Sequence, residues 1–452
     1  MHLAGFPDGS NVEGRRAANK GGTVSKMRAG GFGRIGRVGW FRSMVVGLVV
    51  SGGLVAFSGN TADGQSSTPG VTSKTITIGM INDTTGVAAS TFADGVGTAE
   101  ARIALQNAEG GVDGRKLKLI VLNSESSGTT LQTAAQELVG DGVFGVVVDS
   151  AFTFSGSTYL TQQGVPVTGD TFDGPEWGTA ANMFSYGPPT YTPYNGTYYG
   201  YDEVSILLKK LGVKRVAVLA YNYSPSAVTS AKETAAADTK AGLQNCYENL
   251  SVPFGSVDFT ADVLQMKAQH CDAAIGTFVA ASNVALASAI QNAGLKMTQF
   301  YYTSYDQTTL QSSAAEHALD GTYSEGLVAA GHTTTEAATA KFYAALKKYD
   351  PSYPGGVPDL GATNSWDGMD VMIEGLKLAG PHPTRAAFIS KLRTVKTYTI
   401  GGLSASPIDF NYLSGKFPST QCANFVVLKG TKFDPYPANG AVICGGLVPL
   451  SG

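Results

Sequence analysis

The chain has 452 residues, 32 Lys and Arg against 35 Asp and Glu, a formal net charge of −3 and four cysteines. That length supports two domains of ordinary size. The slightly acidic balance, with no Lys/Arg block beyond the N-terminal region, sets nucleic acid aside as a partner.

The first motif in chain order, GFGRIGRV at 31–38, carries the G-x-G-x-x-G spacing of a dinucleotide-binding turn. That turn works only when a strand enters it, a helix leaves it, and an acid about 20 residues on binds the ribose. No apolar strand precedes it, and no Asp or Glu lies between Glu13 and Asp63. The stretch reads instead as the basic start of a secretory signal. Lys26, Arg28, Arg34, Arg37 and Arg42 precede an apolar run from Met44 to Phe57, with small residues Ala56 and Ser58 at the spacing of a signal-peptidase site. Residues 1–58 are therefore expected to be a signal peptide, with Met27 a possible start, and cleavage is favoured over retention as an anchor. The first cysteine is Cys246, so a lipid-anchored lipoprotein is not expected. The mature protein is expected to be exported, periplasmic or extracellular, and not membrane-spanning.

Residues 59–74 read as a flexible polar leader. After it, strand-like TITIGMI (75–81), a helix carrying Val96, Ala99 and Ile103, strand KLKLIVL (116–122), helix TLQTAAQELVG and strand VFGVVV (143–148) alternate. This order predicts a parallel sheet covered by helices. After the break GPPTYTPYNGTYYG the rhythm restarts: helix 197–211, strand 213–220, helix 226–241, strand 245–252, helix 260–268, strand 272–279, helix 282–293 and strand 298–304. A third block places Phe342, Leu346 and Tyr349 on one helix and Trp366, Met369, Ile373 and Leu376 on another, before a β-rich C-terminus. Two such doubly wound units predict two lobes around a cleft, with a ligand at the carboxyl ends of the strands. For the four cysteines in an exported chain, two disulfides are expected, 246 with 271 and 422 with 444 favoured and the other two connectivities left open.

GVTSKTITIGMINDTTG, NAEGGVDGRKLKLIVLNSES, QELVGDGVFGVVV, AVLAYNYSPSA and VDFTADVLQMKAQHCDAAIGTF together resemble the type I periplasmic binding proteins, in the leucine/isoleucine/valine-binding branch that feeds ABC importers. The resemblance covers roughly residues 70–430, with GG-x-x-GRKL its most specific piece; Gly110, Gly111 and Gly114 there read as structural turn residues. It implies two lobes joined by three hinge crossings that close on ligand. The crossings are expected in the Pro188 to Pro193 break, at Glu325–Gly326, and near Thr399 to Gly402. The N-terminal lobe is then 75–190 plus 326–399 and the C-terminal lobe 191–325 plus 400–452, the latter holding all four cysteines. No cofactor or metal is implied. His270, His317, His332 and His382 are scattered without ligand spacing, and no H-E-x-x-H or G-x-S-x-G occurs, so an enzyme is not expected.

In relatives that bind amino acids, the loop after the third strand holds the ligand carboxylate with hydroxyls and backbone N–H groups. Here that loop is DSAFTFSG, so Ser150 matches while Ala151, Phe152 and Phe154 replace small polar residues. In the next loop Thr171 matches and Asp170 departs. In the second lobe Tyr221 and Tyr223, Phe278, and Tyr305 with Asp306 follow strands, Asp306 standing where relatives carry an acid for the ammonium group. The expected ligand is a bulky, largely apolar or aromatic organic solute ahead of a branched-chain amino acid or amide, while Asp170 and Asp306 together would signal a cationic or amino-bearing one. The expected partners are that solute and ABC permease subunits. An extracellular ligand sensor of the same fold is the alternative.

Overall fold

The structure of the protein is a computed structural model in which residues 68–169, 174–186, 197–223, 225–326, 328 and 330–451 are described. The expected signal segment, the first part of the leader, the Pro188 to Pro193 crossing and the candidate residues Asp170 and Thr171 lie outside them.

The first lobe is built on β1 (Thr75–Asn82), which is buried along most of its length as a central parallel strand must be. It continues through α1 (Ala89–Phe92), α2 (Gly95–Ala108), β2 (Lys116–Asn123), α3 (Gly128–Gly140), β3 (Val146–Asp149), α4 (Phe154–Gln162), β4 (Val167–Gly169), α5 (Glu176–Thr179) and β5 (Met183–Ser185). These strands form one parallel sheet in the order β2-β1-β3-β4-β5. Gly111 ends the turn after α2 at φ 80°, and its N–H donates to the Gln106 carbonyl at 2.9 Å. A Cβ there would lie 2.0 Å from the Arg115 carbonyl oxygen, so only glycine fits.

The second lobe runs through β6 (Thr197–Tyr201), α6 (Glu203–Lys210), β7 (Arg215–Tyr221), α7 (Pro225–Ala241), β8 (Gln244–Val252), α8 (Thr260–Ala268), β9 (Ala273–Thr277), α9 (Ala280–Asn292), β10 (Thr298–Tyr301), α10 (Ser313–Leu319) and β11 (Tyr323–Glu325). The chain then supplies α11 (Glu336–Tyr349), α12 (Leu360–Ala379) and α13 (Arg385–Leu392) before β12 (Thr420–Ala423), β13 (Phe425–Lys429), β14 (Lys432–Tyr436) and β15 (Ile443–Ser451). The second sheet has the order β14-β13-β11-β10-β9-β7-β8, parallel from β8 to β11, with β13 and β14 added antiparallel. Helices α11 to α13 return to the first lobe: Phe342, Trp366, Met369, Ile373 and Phe388 share a core with Ile78 and Phe144.

Three differences from the sequence reading have physical causes. Residues 197–201 are a strand, not the start of a helix; TYYGY is rich in β-formers and pairs antiparallel with β15. The boundary expected at 399 moves, because Ile400, Leu403, Ile408, Phe410 and Tyr412 are all buried in the first core. The chain leaves that lobe only where Phe417, packed on the first core, gives way to β12. Cys246 is bonded to Cys271 within the second lobe, but Cys422–Cys444 joins opposed residues of β12 and β15, in the separate antiparallel sheet β12-β15-β6, and so lies outside either main sheet. Among the described residues no helix is long and apolar enough to cross a membrane.

Candidate functional site

The carboxyl ends of β1 and β3 carry adjacent acids. Asn82 and Asp149 are register partners, and Asp149 accepts hydrogen bonds from Asn82 Nδ2 at 2.7 Å, Ser365 Oγ at 2.8 Å and Asn364 Nδ2 at 3.2 Å. Asp83, the next residue after β1, accepts from Ser150 Oγ at 2.7 Å, from the Ala151 N–H at 3.0 Å and from the Ser124 hydroxyl. Burial pushes the Asp83 carboxyl up to about 6, against the Ala151 and Ser150 hydrogen bonds that pull it down. The Ser150 hydroxyl and the Ala151 N–H, expected to receive a ligand carboxylate, are thus occupied by a carboxylate of the protein itself.

Phe152 is engaged by aromatic neighbours. Its ring lies 5.0 Å from that of Tyr223 and 5.2 Å from that of Phe254, so it packs the first lobe against the second. Tyr223 donates to the Ala151 carbonyl at 3.2 Å across the same junction, and the Ala280 N–H donates to Thr91 Oγ1 at 3.0 Å. Asp306 is a turn cap: its Oδ1 accepts the Thr309 N–H at 2.5 Å, and burial raises its pKa.

Between the lobes lies a cavity of about 250 Å³. Ala151, Tyr221, Phe278 and Tyr305 all line it; Ser150, Phe152 and Asp306 do not. Tyr221 is held by its hydroxyl, which donates to Ser282 Oγ at 2.6 Å, and its ring packs 4.7 Å from that of Phe278. Strand β12 forms part of the wall through Gln421, Cys422 and Ala423.

Four acids that sequence reasoning did not assign to the site also line the cavity: Glu203 at the start of α6, Glu233 on α7, Glu325 at the end of β11 and Asp367 on α12. Burial, opposed by its own backbone N–H and reinforced by the nearby charges of Glu325 and Asp202, pushes Glu203 up to about 8. Burial raises Glu325 to about 7, and burial with the Asp370 charge holds Asp367 well above the usual carboxylate range. A Cβ on Gly200 would lie 2.6 Å from Glu233 Oε2, so the Glu233 carboxylate rests against the bare backbone of β6. Glu325 was visible in the sequence only as a hinge residue. Asp367 was hidden beside Trp366 in a helix read as core, and Glu203 and Glu233 lie on helices with no motif.

A family model described as periplasmic binding protein matches residues 75–431, and the chain belongs to that family. No curated protein matches it. Its fold is similar to that of the fatty acid ABC transporter substrate-binding protein from Thermomonospora curvata, at 19% identity over 86% of this chain and 96% of that one, with a TM-score of 0.64. It is likewise similar to a solute binding protein of an ABC transporter from R. palustris in complex with benzoate, at 15% identity over 84% and 98%, TM-score 0.63. A third similar structure is a branched-chain amino acid transporter substrate binding protein from Streptococcus pneumoniae in complex with isoleucine, at 18% identity over 80% and 98%, TM-score 0.63. Identities this low establish a shared fold, while the ligand is decided by the cleft.

Proposed function

We propose that the protein is an exported, non-catalytic solute-binding component of an ABC importer, which captures one small organic molecule between its lobes and presents it to permease subunits. The observation that carries this reading is the cavity itself. It sits at the carboxyl ends of strands from both sheets, and strand β12 forms part of its wall. The aromatic lining from Tyr221, Phe278 and Tyr305, with Ala151 in place of a hydroxyl, favours a ligand with a flat or bulky apolar body over a branched-chain amino acid or an amide. The N-terminal signal read from residues 1–58 supports export to the periplasm or cell exterior, with cleavage near Gly59. An extracellular sensor of the same fold is the second reading. Permease and ATPase genes beside this one support transport, and a lone kinase or regulator gene supports sensing.

The test is capture with closure. Protein stripped of solute by unfolding and refolding is expected to contract in small-angle scattering, and to melt at a higher temperature, when the solute that co-purifies with it is returned. Unchanged scattering and melting at saturating solute would refute the reading.

A further inference from the structure

We infer that the cleft selects an organic cation, a protonated amine or quaternary ammonium on an apolar body, and rejects carboxylates. This rests on the solute-capture reading and deepens it. The first observation is the charge of the wall. Glu203, Glu233, Glu325 and Asp367 line the cavity, and no Lys, Arg or His does so among the described residues.

The second observation is unsatisfied bonding. Asp367 Oδ1 and Glu203 Oε2 are buried without a hydrogen-bond partner among the described residues. Buried polar atoms of a folded protein are ordinarily paired, and carboxylate oxygens left unpaired on residues that line a cavity call for a donor from the ligand. An ammonium group supplies up to three N–H donors and a positive charge, and neutralises the desolvated carboxylates as it does so.

The third observation concerns what an anion would need. The donors at the carboxyl end of β3, Ser150 Oγ and the Ala151 N–H, are already taken by Asp83. An incoming carboxylate finds neither free donors there nor a positive side chain in the wall. The aromatic lining suits a cation as well: Tyr201, Tyr221, Tyr223 and Tyr302 line the same space, and aromatic rings attract ammonium groups. Among the described residues no group of three His, Cys, Asp or Glu could hold a metal ion, so the spread of the acids fits an organic cation.

Binding then has a proton signature. Glu203 faces Asp202, Glu325, Tyr201 and the Lys240 that pairs with Asp202 at 2.8 Å. Asp367 faces Tyr305 and Asp370, the latter paired with Arg102 at 2.6 Å. An ammonium beside these acids favours their charged form and releases protons they hold at neutral pH.

The experiment uses the refolded full chain with choline and phenethylamine as cationic probes. Phenethyl alcohol and 3-phenylpropionate serve as uncharged and anionic counterparts of the second. Melting shifts and titration calorimetry in two buffers of different ionisation enthalpy are read near pH 7. The amines are expected to bind, to raise the melting temperature and to release about one proton or a fraction of one per molecule bound. The counterparts are expected to bind at least about tenfold more weakly. Asp367→Asn and Glu203→Gln, which keep the shape of each side chain, should each weaken amine binding about tenfold or more, and the double variant should remove most of the proton release. Equal or tighter binding of the alcohol or the acid, or no amine binding at all, overturns the charge assignment. Any probe that binds and contracts the protein in small-angle scattering upholds capture whatever its charge. If no probe binds, the cation proposal fails while capture is still judged by the co-purifying solute.

Discussion

Replacing Glu203 by Gln tests whether the acidic cleft wall is held in its protonated form. The side chain is buried at the junction of β6 and α6, and its pKa rises from 4.5 to about 8, chiefly through burial. The folded state therefore keeps a proton that the unfolded chain has lost. The stability this provides is fully present below about pH 4.5 and is lost as pH rises toward about 8, the reverse of a salt-bridged acid. At 1.36 kcal/mol per pKa unit, ionising this one group costs the fold about 3 kcal/mol between about pH 5 and pH 8, reduced to about 2 kcal/mol by local relaxation and water entry. Glu203→Gln keeps the shape and removes the ionisation. The variant should match the parent at about pH 5 and exceed it at about pH 8, where its melting temperature rises by about 2 to 3 °C. Calorimetric or fluorescence melts across that range provide the assay. If the variant is less stable than the parent by the same amount at every pH, Glu203 is an ionised partner, most directly of Lys240, and the reasoning about the wall fails.

Other predictions follow from the same contacts. Asp83→Ala should leave the Ala151 N–H unsatisfied and strip the Ser150 hydroxyl of its 2.7 Å acceptor, lowering stability by about 1 to 3 kcal/mol, and added acetate should restore part of the melting temperature by taking the vacated place. Phe152→Ala should remove the ring that joins Tyr223 and Phe254 across the lobes. The protein should then show a larger radius of gyration and about tenfold weaker capture, because the closed form loses about 1 to 2 kcal/mol. Cys422→Ser with Cys444→Ser opens a cross-link between residues 22 apart and should lower stability by about 3 kcal/mol in denaturant titration, with the parent falling below the variant's level under reductant because Cys246–Cys271 opens as well.

The alternation of TITIGMI, KLKLIVL and VFGVVV with helical segments made the first sheet legible, because a buried parallel strand has few polar positions. Strand β7, buried at every position but its first, was legible for the same reason. The third crossing was not. Residues 400–413 contain glycines and short turns that resemble a linker, and only their burial against α12 and α13 shows that they belong to the first lobe. Within the site, strand-end positions such as Tyr221 and Phe278 could be placed, since a parallel sheet fixes where its carboxyl ends meet. The fate of Ser150 could not be placed, because its partner Asp83 is 67 residues away in sequence and adjacent only through the β1 to β3 register. The helix-borne acids Glu203, Glu233 and Asp367 escaped for a related reason: a helix face turned to a cavity has the same sequence pattern as one turned to core or solvent.

The most direct test of solute capture is native mass spectrometry of the full-length protein isolated gently from cells grown in complex medium. A single small organic molecule bound at one per chain is expected, with its mass released when the protein is unfolded and its signal displaced by excess of the same compound. A spectrum showing the bare chain alone in every such preparation, with no melting shift when the low-molecular-weight extract of the same medium is added, would contradict solute capture.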